Sequence, residues 1–359
     1  MKNILVVDDS ALMRSVLCDI INSDSRFHVV DRAANGEEAL DLLLRKTYDA
    51  VVLDVNMPKM NGLELLEELQ NRRISAKVVM ASTDTREGAK TTLDALSLGA
   101  IDFVHKPDHA VMCKDGTFDT KLMRILETVC ESKGTVFKKE TEKEKRSKEE
   151  ITRKIIELAS KSSRNISGRQ IIALASSTGG PKALQEVVPK LPKGLNVPMV
   201  IVQHMPAGFT QSLAERLDEL SEVKVTEAKD GETLENGHVY IAQGGKHLNI
   251  DDAGGRLKIR YSDEPTREGV KPCANYMFES LANCNLERVV CVVLTGMGAD
   301  GTAGIKNLSN SKNIFVIAQD EDSCTVYGMP RAIAATGLTN SVVPLDQVAQ
   351  EIIMNVGVS

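Results

Sequence analysis

Short apolar runs that each stop at a polar residue recur along this chain, and the stretches between them carry helical spacing. In the first third they read I-L-V-V-D-D, H-V-V-D, A-V-V-L-D, K-V-V-M-A-S and I-D-F-V-H-K-P. Leu12, Val16, Ile20 and Ile21 follow the first run at helical spacing, and further helical patterns begin near Gly36, Gly62 and Arg86. Strands alternating with helices predict a parallel sheet covered on both faces, with its working groups at the carboxyl ends of the strands. The same grammar returns in the second half as I-I-A-L-A-S-S, V-P-M-V-I-V and R-V-V-C-V-V-L-T, so a second α/β sheet is expected there.

Between the two halves lies V-F-K-K-E-T-E-K-E-K-R-S-K-E-E-I-T-R-K, charged and mixed in sign, which cannot form a core. It reads as a solvated helix or linker, with Ile151, Ile155 and Leu158 able to lay a narrow apolar face on a neighbour. The expected organisation is therefore a domain over 1–125, a charged linker over 126–167 and a second domain over 168–359, and 359 residues suffice for two cores.

A net charge of −6 argues against a nucleic-acid-binding surface, and no helix-turn-helix with a basic recognition helix is found. No apolar run approaches the ~20 residues of a bilayer span, and two acids interrupt the N-terminus before a signal-peptide core can form, so a cytoplasmic protein without membrane insertion is expected. The seven cysteines show no C-x-x-C spacing and read as buried thiols in a reducing compartment.

In the first half the unusual residues sit at strand ends: Asp8 and Asp9 after the first run, Asp54 after the third, Ser82 after the fourth and Lys106 after the fifth. Three gathered carboxylates repel one another and suit Mg²⁺, whose remaining positions can take water or phosphate oxygens. A carboxylate can accept a phosphoryl group as a mixed anhydride, with metal and ammonium offsetting the charge. Isolated acids capping helices would explain one or two of these residues but hardly all five.

In the second half, Ser177 falls on a turn that reads strand, S-S-T-G-G-P, helix. His204 lies just past V-P-M-V-I-V-Q, and Asp300 lies in the glycine-rich loop after R-V-V-C-V-V-L. An open parallel sheet would bring the three to one crevice, where His204 could deprotonate Ser177 and Asp300 could fix the imidazole tautomer. The turn departs from G-x-S-x-G, with Ala175 in the first position, and the order Ser, His, Asp argues against an ordinary α/β-hydrolase. Taken singly, each residue has a duller reading: Ser177 or Asp300 as a helix cap, His204 as a structural histidine.

The motifs V-V-D-D, V-V-L-D-V-N-M-P-K-M-N-G-L-E-L-L, V-V-M-A-S and F-V-H-K-P resemble those of response-regulator receiver domains, with a flavodoxin-like sheet of five parallel strands. The resemblance implies Asp54 as phosphoacceptor, Asp8, Asp9, Asp54 and the main chain of Asn56 around Mg²⁺, Ser82 and Lys106 on the phosphoryl oxygens, and Phe103 as the switch aromatic. A receiver joined to S-S-T-G-G, V-Q-H-M-P, T-G-M-G-A-D-G and A-Q-D-E-D-S-C-T-V-Y-G-M-P is similar to the chemotaxis protein-glutamate methylesterases, the CheB family.

That resemblance implies a doubly wound α/β catalytic domain without a cofactor, a Ser177, His204 and Asp300 triad, an oxyanion donor in the main chain of Met297, and Thr178 lining the site. It also implies hydrolysis of glutamyl methyl esters on methyl-accepting chemoreceptors, glutamine deamidation in many members, and a chemotaxis histidine kinase as phosphodonor. A non-enzymatic adaptor and a deamidase are the alternatives. Ser176, Gln243 and K-P-C-A-N at Lys271 to Asn275 depart from the family pattern; Ser176 is a second hydroxyl beside the expected nucleophile.

Overall fold

A computed structural model describes residues 1–82, 86–106, 118–132 and 168–357; the side chains of residues 86 and 87 are not described. The chain divides into two compact units, Met1–Lys138 and Lys139–Ser359. Most of the expected linker, including Ile151, Ile155 and Leu158, lies outside the described residues, as do Cys113 and Pro107.

The first unit alternates β1 (Lys2–Val7), α1 (Ala11–Asn22), β2 (Phe27–Ala33), α2 (Gly36–Arg45), β3 (Ala50–Asp54), α3 (Gly62–Arg72), β4 (Val78–Ser82), α4 (Arg86–Ser97), β5 (Asp102–His105) and α5 (Phe118–Glu131). Its five strands pair in parallel in the order β2-β1-β3-β4-β5. Because β1 lies between β2 and β3, the chain reverses its direction of sheet growth there, opening a crevice at the ends of β1 and β3. The helices start where local chemistry starts them: the side chains of Ser10, Asn35 and Asn61 each accept a hydrogen bond from the backbone three residues on, and Asn61 forms a reciprocal capping box with Glu64. The expected limit at 125 falls inside α5, whose Leu122, Leu126 and Val129 are buried in the core of this unit.

The helical spacing of α1 extends beyond its buried face. Leu12, expected on the apolar face of α1, is 64% exposed, and the buried stripe begins a turn later at Val16, Leu17, Ile20 and Ile21. In the first turn of that helix Ala11 and Leu12 are exposed, while Met13 is half-buried against the core.

The second unit is built on β6 (Gln170–Ser176), β7 (Met199–Gln203), β8 (Lys224–Glu227), β9 (His238–Ile241), β12 (Arg288–Val293), β13 (Ile314–Gln319) and β14 (Ser341–Val343), all parallel, in the order β14-β13-β12-β6-β7-β9-β8. An antiparallel hairpin of β10 (His247–Ala253) and β11 (Arg256–Ser262) stands apart from this sheet. The helices are α6 (Gly180–Val187), α7 (Phe209–Leu220), α8 (Ala274–Ser280), α9 (Thr302–Ser309), α10 (Met329–Ala334) and α11 (Leu345–Val356). The sheet begins at its centre with β6, grows one way through β7, then returns to β6 and grows the other way from β12. The switch point lies between β6 and β12, and β6, β7 and β12 are the strands that lead to Ser177, His204 and Asp300.

Candidate active site

Ser177 is the first residue beyond β6, on a turn whose next helix needs glycine. Gly179, the residue before α6, sits at φ 77 in the left-handed region, which costs a residue with a Cβ and costs glycine almost nothing. No side chain caps that helix, so Ser177 is not its cap. The two adjacent serines have different fates. Ser176 is fully buried and donates to Gln203 Oε1 at 2.7 Å, whereas Ser177 is partly exposed. Ser177 N donates to Thr295 O at 3.0 Å, binding its turn to the loop after β12.

His204 follows β7 directly, and its Nε2 lies 2.7 Å from Asp300 Oδ2. An ionised carboxylate only accepts, so Nε2 carries the proton and Nδ1 is left as the basic nitrogen. Asp300 is buried and heavily supplied with donors: Oδ2 also accepts from Ala274 N at 2.6 Å, and Oδ1 accepts from Cys273 Sγ at 3.0 Å, Asn275 N at 3.0 Å and Gly301 N at 2.8 Å. Burial alone would raise the Asp300 carboxyl; the bonds from His204, Cys273 and Ala274 outweigh it and hold the group at about 2. Asp300 does not cap α9. That task falls to Asn275, whose Oδ1 accepts from Gly301 N at 3.1 Å and Gly304 N at 2.7 Å.

Thr178 follows Ser177 directly, and Met297 follows Gly296 in the loop after β12. The loop through Gly296 and Met297 lies against the Ser177 turn so closely that a Cβ added to Gly296 would stand 2.8 Å from Ser177 Cβ. Thr178, buried, accepts at its carbonyl from Thr295 Oγ1 at 3.0 Å. Several residues with no assigned role in the sequence prove structural partners of the site: Gln203, Thr295 and Cys273. Each is a polar side chain at or near a strand end or helix start that is buried in the structure, and that juxtaposition of polarity and expected burial is the signal that could have found them. Cys273 is a donor to Asp300, and burial together with that carboxylate pushes its thiol up to about 12, so it acts as an S–H group rather than as a thiolate. The six cysteines among the described residues are buried, as expected.

The first unit gathers its own site. One oxygen from each of Asp8, Asp9 and Asp54 lies within 4.8 Å of the others, a spacing that could hold a divalent cation. Lys106 Nζ bridges Asp8 Oδ2 at 2.6 Å and Asp54 Oδ1 at 2.7 Å. Burial pushes the Asp54 carboxyl up, against the pull of Lys106. Ser82 is buried at the end of β4, Phe103 is buried in β5, and Asn56 is exposed just past β3. Arg14, unremarked in the sequence, donates to Asp8 O at 2.6 Å and Asp9 O at 3.2 Å and so orients the backbone that carries the acids.

A flavodoxin-like domain with an acid cluster and a bridging lysine at its switch point, followed by a second parallel α/β domain, defines a two-domain response regulator with an α/β output domain. Residues 4–114 match the response regulator receiver domain model, and residues 172–352 match the CheB methylesterase model. The protein-glutamate methylesterase/protein-glutamine glutaminase of Geobacillus kaustophilus is 42% identical over 99% of this chain and 98% of its own. Its Bacillus subtilis namesake is 40% identical over 98% of each chain. The crystal structure of the Thermotoga maritima CheB methylesterase catalytic domain covers 53% of this chain and 100% of its own, at 39% identity and a TM-score of 0.51. The chain belongs to the CheB methylesterase family.

Proposed function

We propose that this protein hydrolyses glutamyl methyl esters on methyl-accepting chemoreceptors in the cytoplasm, under the control of phosphorylation at Asp54 by a chemotaxis histidine kinase. The observation that carries the catalytic half is the His204 and Asp300 pair, bonded at 2.7 Å, at the strand end beside the partly exposed Ser177. In this reading His204 Nδ1 takes the proton of Ser177 as its oxygen attacks the ester carbonyl, and Asp300 stabilises the imidazolium that results. The main-chain N–H of Met297 donates to the oxyanion and Thr178 lines the site. Methanol leaves with the proton from His204, and water then resolves the acyl-enzyme. The same steps on a glutamine side chain release ammonia, consistent with the double name that the full-length relatives carry.

In the receiver, Asp8, Asp9, Asp54 and the main chain of Asn56 suit Mg²⁺, an oxygen-ligated cation. Bound there, the ion would offset the charge of the carboxylates and of an incoming phosphoryl group. In this reading Lys106 and Ser82 contact the phosphoryl oxygens, and Asp54 accepts the group.

The experiment is methanol release from methylated chemoreceptor membranes, with and without a small phosphodonor and Mg²⁺, on wild type, Asp54→Ala and Ser177→Ala. The expected result is donor-stimulated release that needs both residues. Release without dependence on Asp54 removes the regulatory half, and absence of release moves the reading to a deamidase, if ammonia appears from receptor glutamines, or to a non-enzymatic adaptor.

A further inference from the structure

Gln203 is buried at the end of β7, 1% exposed, and its single amide makes three hydrogen bonds across two strand-end turns. Oε1 accepts from Ser176 Oγ at 2.7 Å, while Nε2 donates to Ser177 O at 3.0 Å and to His204 O at 3.2 Å. The orientation of the amide follows from its partners, because two carbonyls can only accept and must face the NH₂ end. The backbone of α6 makes room for it: a Cβ on Gly180 would overlap Gln203 Oε1. His204 N also donates to Ser176 O at 3.1 Å, so the sheet ladder and the amide hold the same two turns together.

We propose that Gln203 is a positioning residue for the reaction: it fixes the backbone of the nucleophile turn against the backbone of the histidine loop, and thereby the distance over which the proton passes from Ser177 to His204. This inference rests on the proposed function. Its reach is short, since the bonded carbonyls belong to Ser177 and His204 themselves. A displacement of about 1 Å between reacting groups can cost on the order of 100-fold in rate, so one clamp of this kind matters to kcat more than its share of stability suggests.

Gln319 supplies the comparison. It is fully buried at the end of β13, accepts from Thr295 N at 2.8 Å and donates to Ser323 O at 2.9 Å and Ser323 Oγ at 3.2 Å. Like Gln203 it makes three side-chain hydrogen bonds, yet none of them goes to Ser177, His204 or Asp300, and it reaches Ser177 only through Thr295, whose carbonyl accepts from Ser177 N. A purely structural role for buried strand-end glutamines therefore predicts that the two behave alike.

The test uses the full chain with phosphodonor and Mg²⁺. Gln203→Met, Gln203→Glu, Gln319→Met and Ser177→Ala are compared with wild type for kcat and KM in methanol release from methylated chemoreceptor membranes, for thermal midpoint, and for the rate at which a fluorophosphonate labels Ser177. Gln203→Glu keeps an acceptor for Ser176 and loses both donors, so it serves if the methionine variant folds poorly. The expected result is a kcat loss on the order of 100-fold in either Gln203 variant with KM nearly unchanged, a matching fall in labelling rate, and a much smaller loss in Gln319→Met at a similar thermal midpoint. Wild-type kcat and labelling in the Gln203 variants, or equal losses in the Gln203 and Gln319 variants, would overturn the inference. Failure of the underlying reading looks different: wild type then releases no methanol, or Ser177→Ala still does. In that case the labelling rates of Ser177 in wild type and in the two Gln203 variants still decide whether the clamp positions it.

Discussion

Of two neighbouring hydroxyls, Ser176 ends β6 and Ser177 begins the turn after it, and the two have different surroundings. The buried one is a hydrogen-bond donor to Gln203, and the partly exposed one faces the loop that carries Gly296. Ser177→Ala is expected to abolish methanol release with little change in the urea midpoint. Ser176→Ala is expected to keep methanol release and to lower unfolding stability by about 1–3 kcal/mol, because it leaves Gln203 Oε1 buried without its donor. Denaturant unfolding and methanol release on the same two variants check both halves.

Asp300 allows a pH prediction at the same scale. Its folded value of about 2 lies below the ordinary 3.8, so it contributes stability that is complete above pH ~4 and is lost as pH falls through about 2. Asp300→Asn should flatten that part of the stability profile of the catalytic unit, measured by unfolding midpoints across the range. A variant with the wild-type acid slope would show that the carboxylate is not held as the five donors imply.

Among the elements, the loop between β9 and β10 is what presses the histidine loop into place. A Cβ on Gly244 would overlap the backbone of Pro206 and Ala207, two and three residues past His204, and Gly244 N donates to Thr210 Oγ1 at 3.0 Å, which in turn donates to Glu227 Oε1 at 2.6 Å. Tyr261, from the β10-β11 hairpin, anchors the same loop by accepting from Gln243 N at 2.8 Å and donating to Ala228 O at 3.0 Å. Gly244→Ala should therefore displace the histidine loop and lower kcat by on the order of 10- to 100-fold, whereas Gly254→Ala, in the tip of the hairpin where a Cβ meets nothing within 4 Å, should leave kcat near wild type. Parallel kinetics on the two variants separate a local effect of the loop from the general cost of replacing a left-handed or close-packed glycine.

For the whole molecule, the chemistry of regulation is a charge change. Under the proposed function, phosphorylation would add close to two negative charges at Asp54, where Lys106 bridges Asp54 and Asp8, and such a change can act on a second domain only through an element with two arrangements. A fragment beginning near Ile166 is expected to release methanol faster than the unphosphorylated full chain. Asp54→Ala in the full chain should lose donor stimulation, and chelation of Mg²⁺ should do the same to wild type. Equal or lower activity of the fragment would sink the idea that the receiver restrains catalysis. No helix among the described residues is long and apolar enough to cross a membrane.

The alternation of apolar runs and helical spacing determined the first sheet and the three central strands of the second, β6, β7 and β12, because a parallel strand buried on two faces leaves an almost continuous apolar signature and ends at a polar residue; it did not name β8, β9, β13 and β14. It placed Asp8, Asp9, Asp54, Ser177 and His204 at strand ends, and the short-range caps at Ser10, Asn35 and Asn61 were equally local in origin. What only the tertiary structure decided was partnership across distance. Strand order brings β12 back beside β6, so Asp300 meets His204 across 96 positions of sequence. Cys273 becomes a donor to Asp300, and Gln203 becomes a clamp, because burial with a particular carboxylate or carbonyl gives a polar side chain its task. The fate of Leu12 makes the same point in reverse: helical spacing names the residues that could be buried, and the sheet beneath determines which of them are. A periodic pattern is a local property of the chain, whereas a hydrogen bond between turns depends on how every strand between them is laid down.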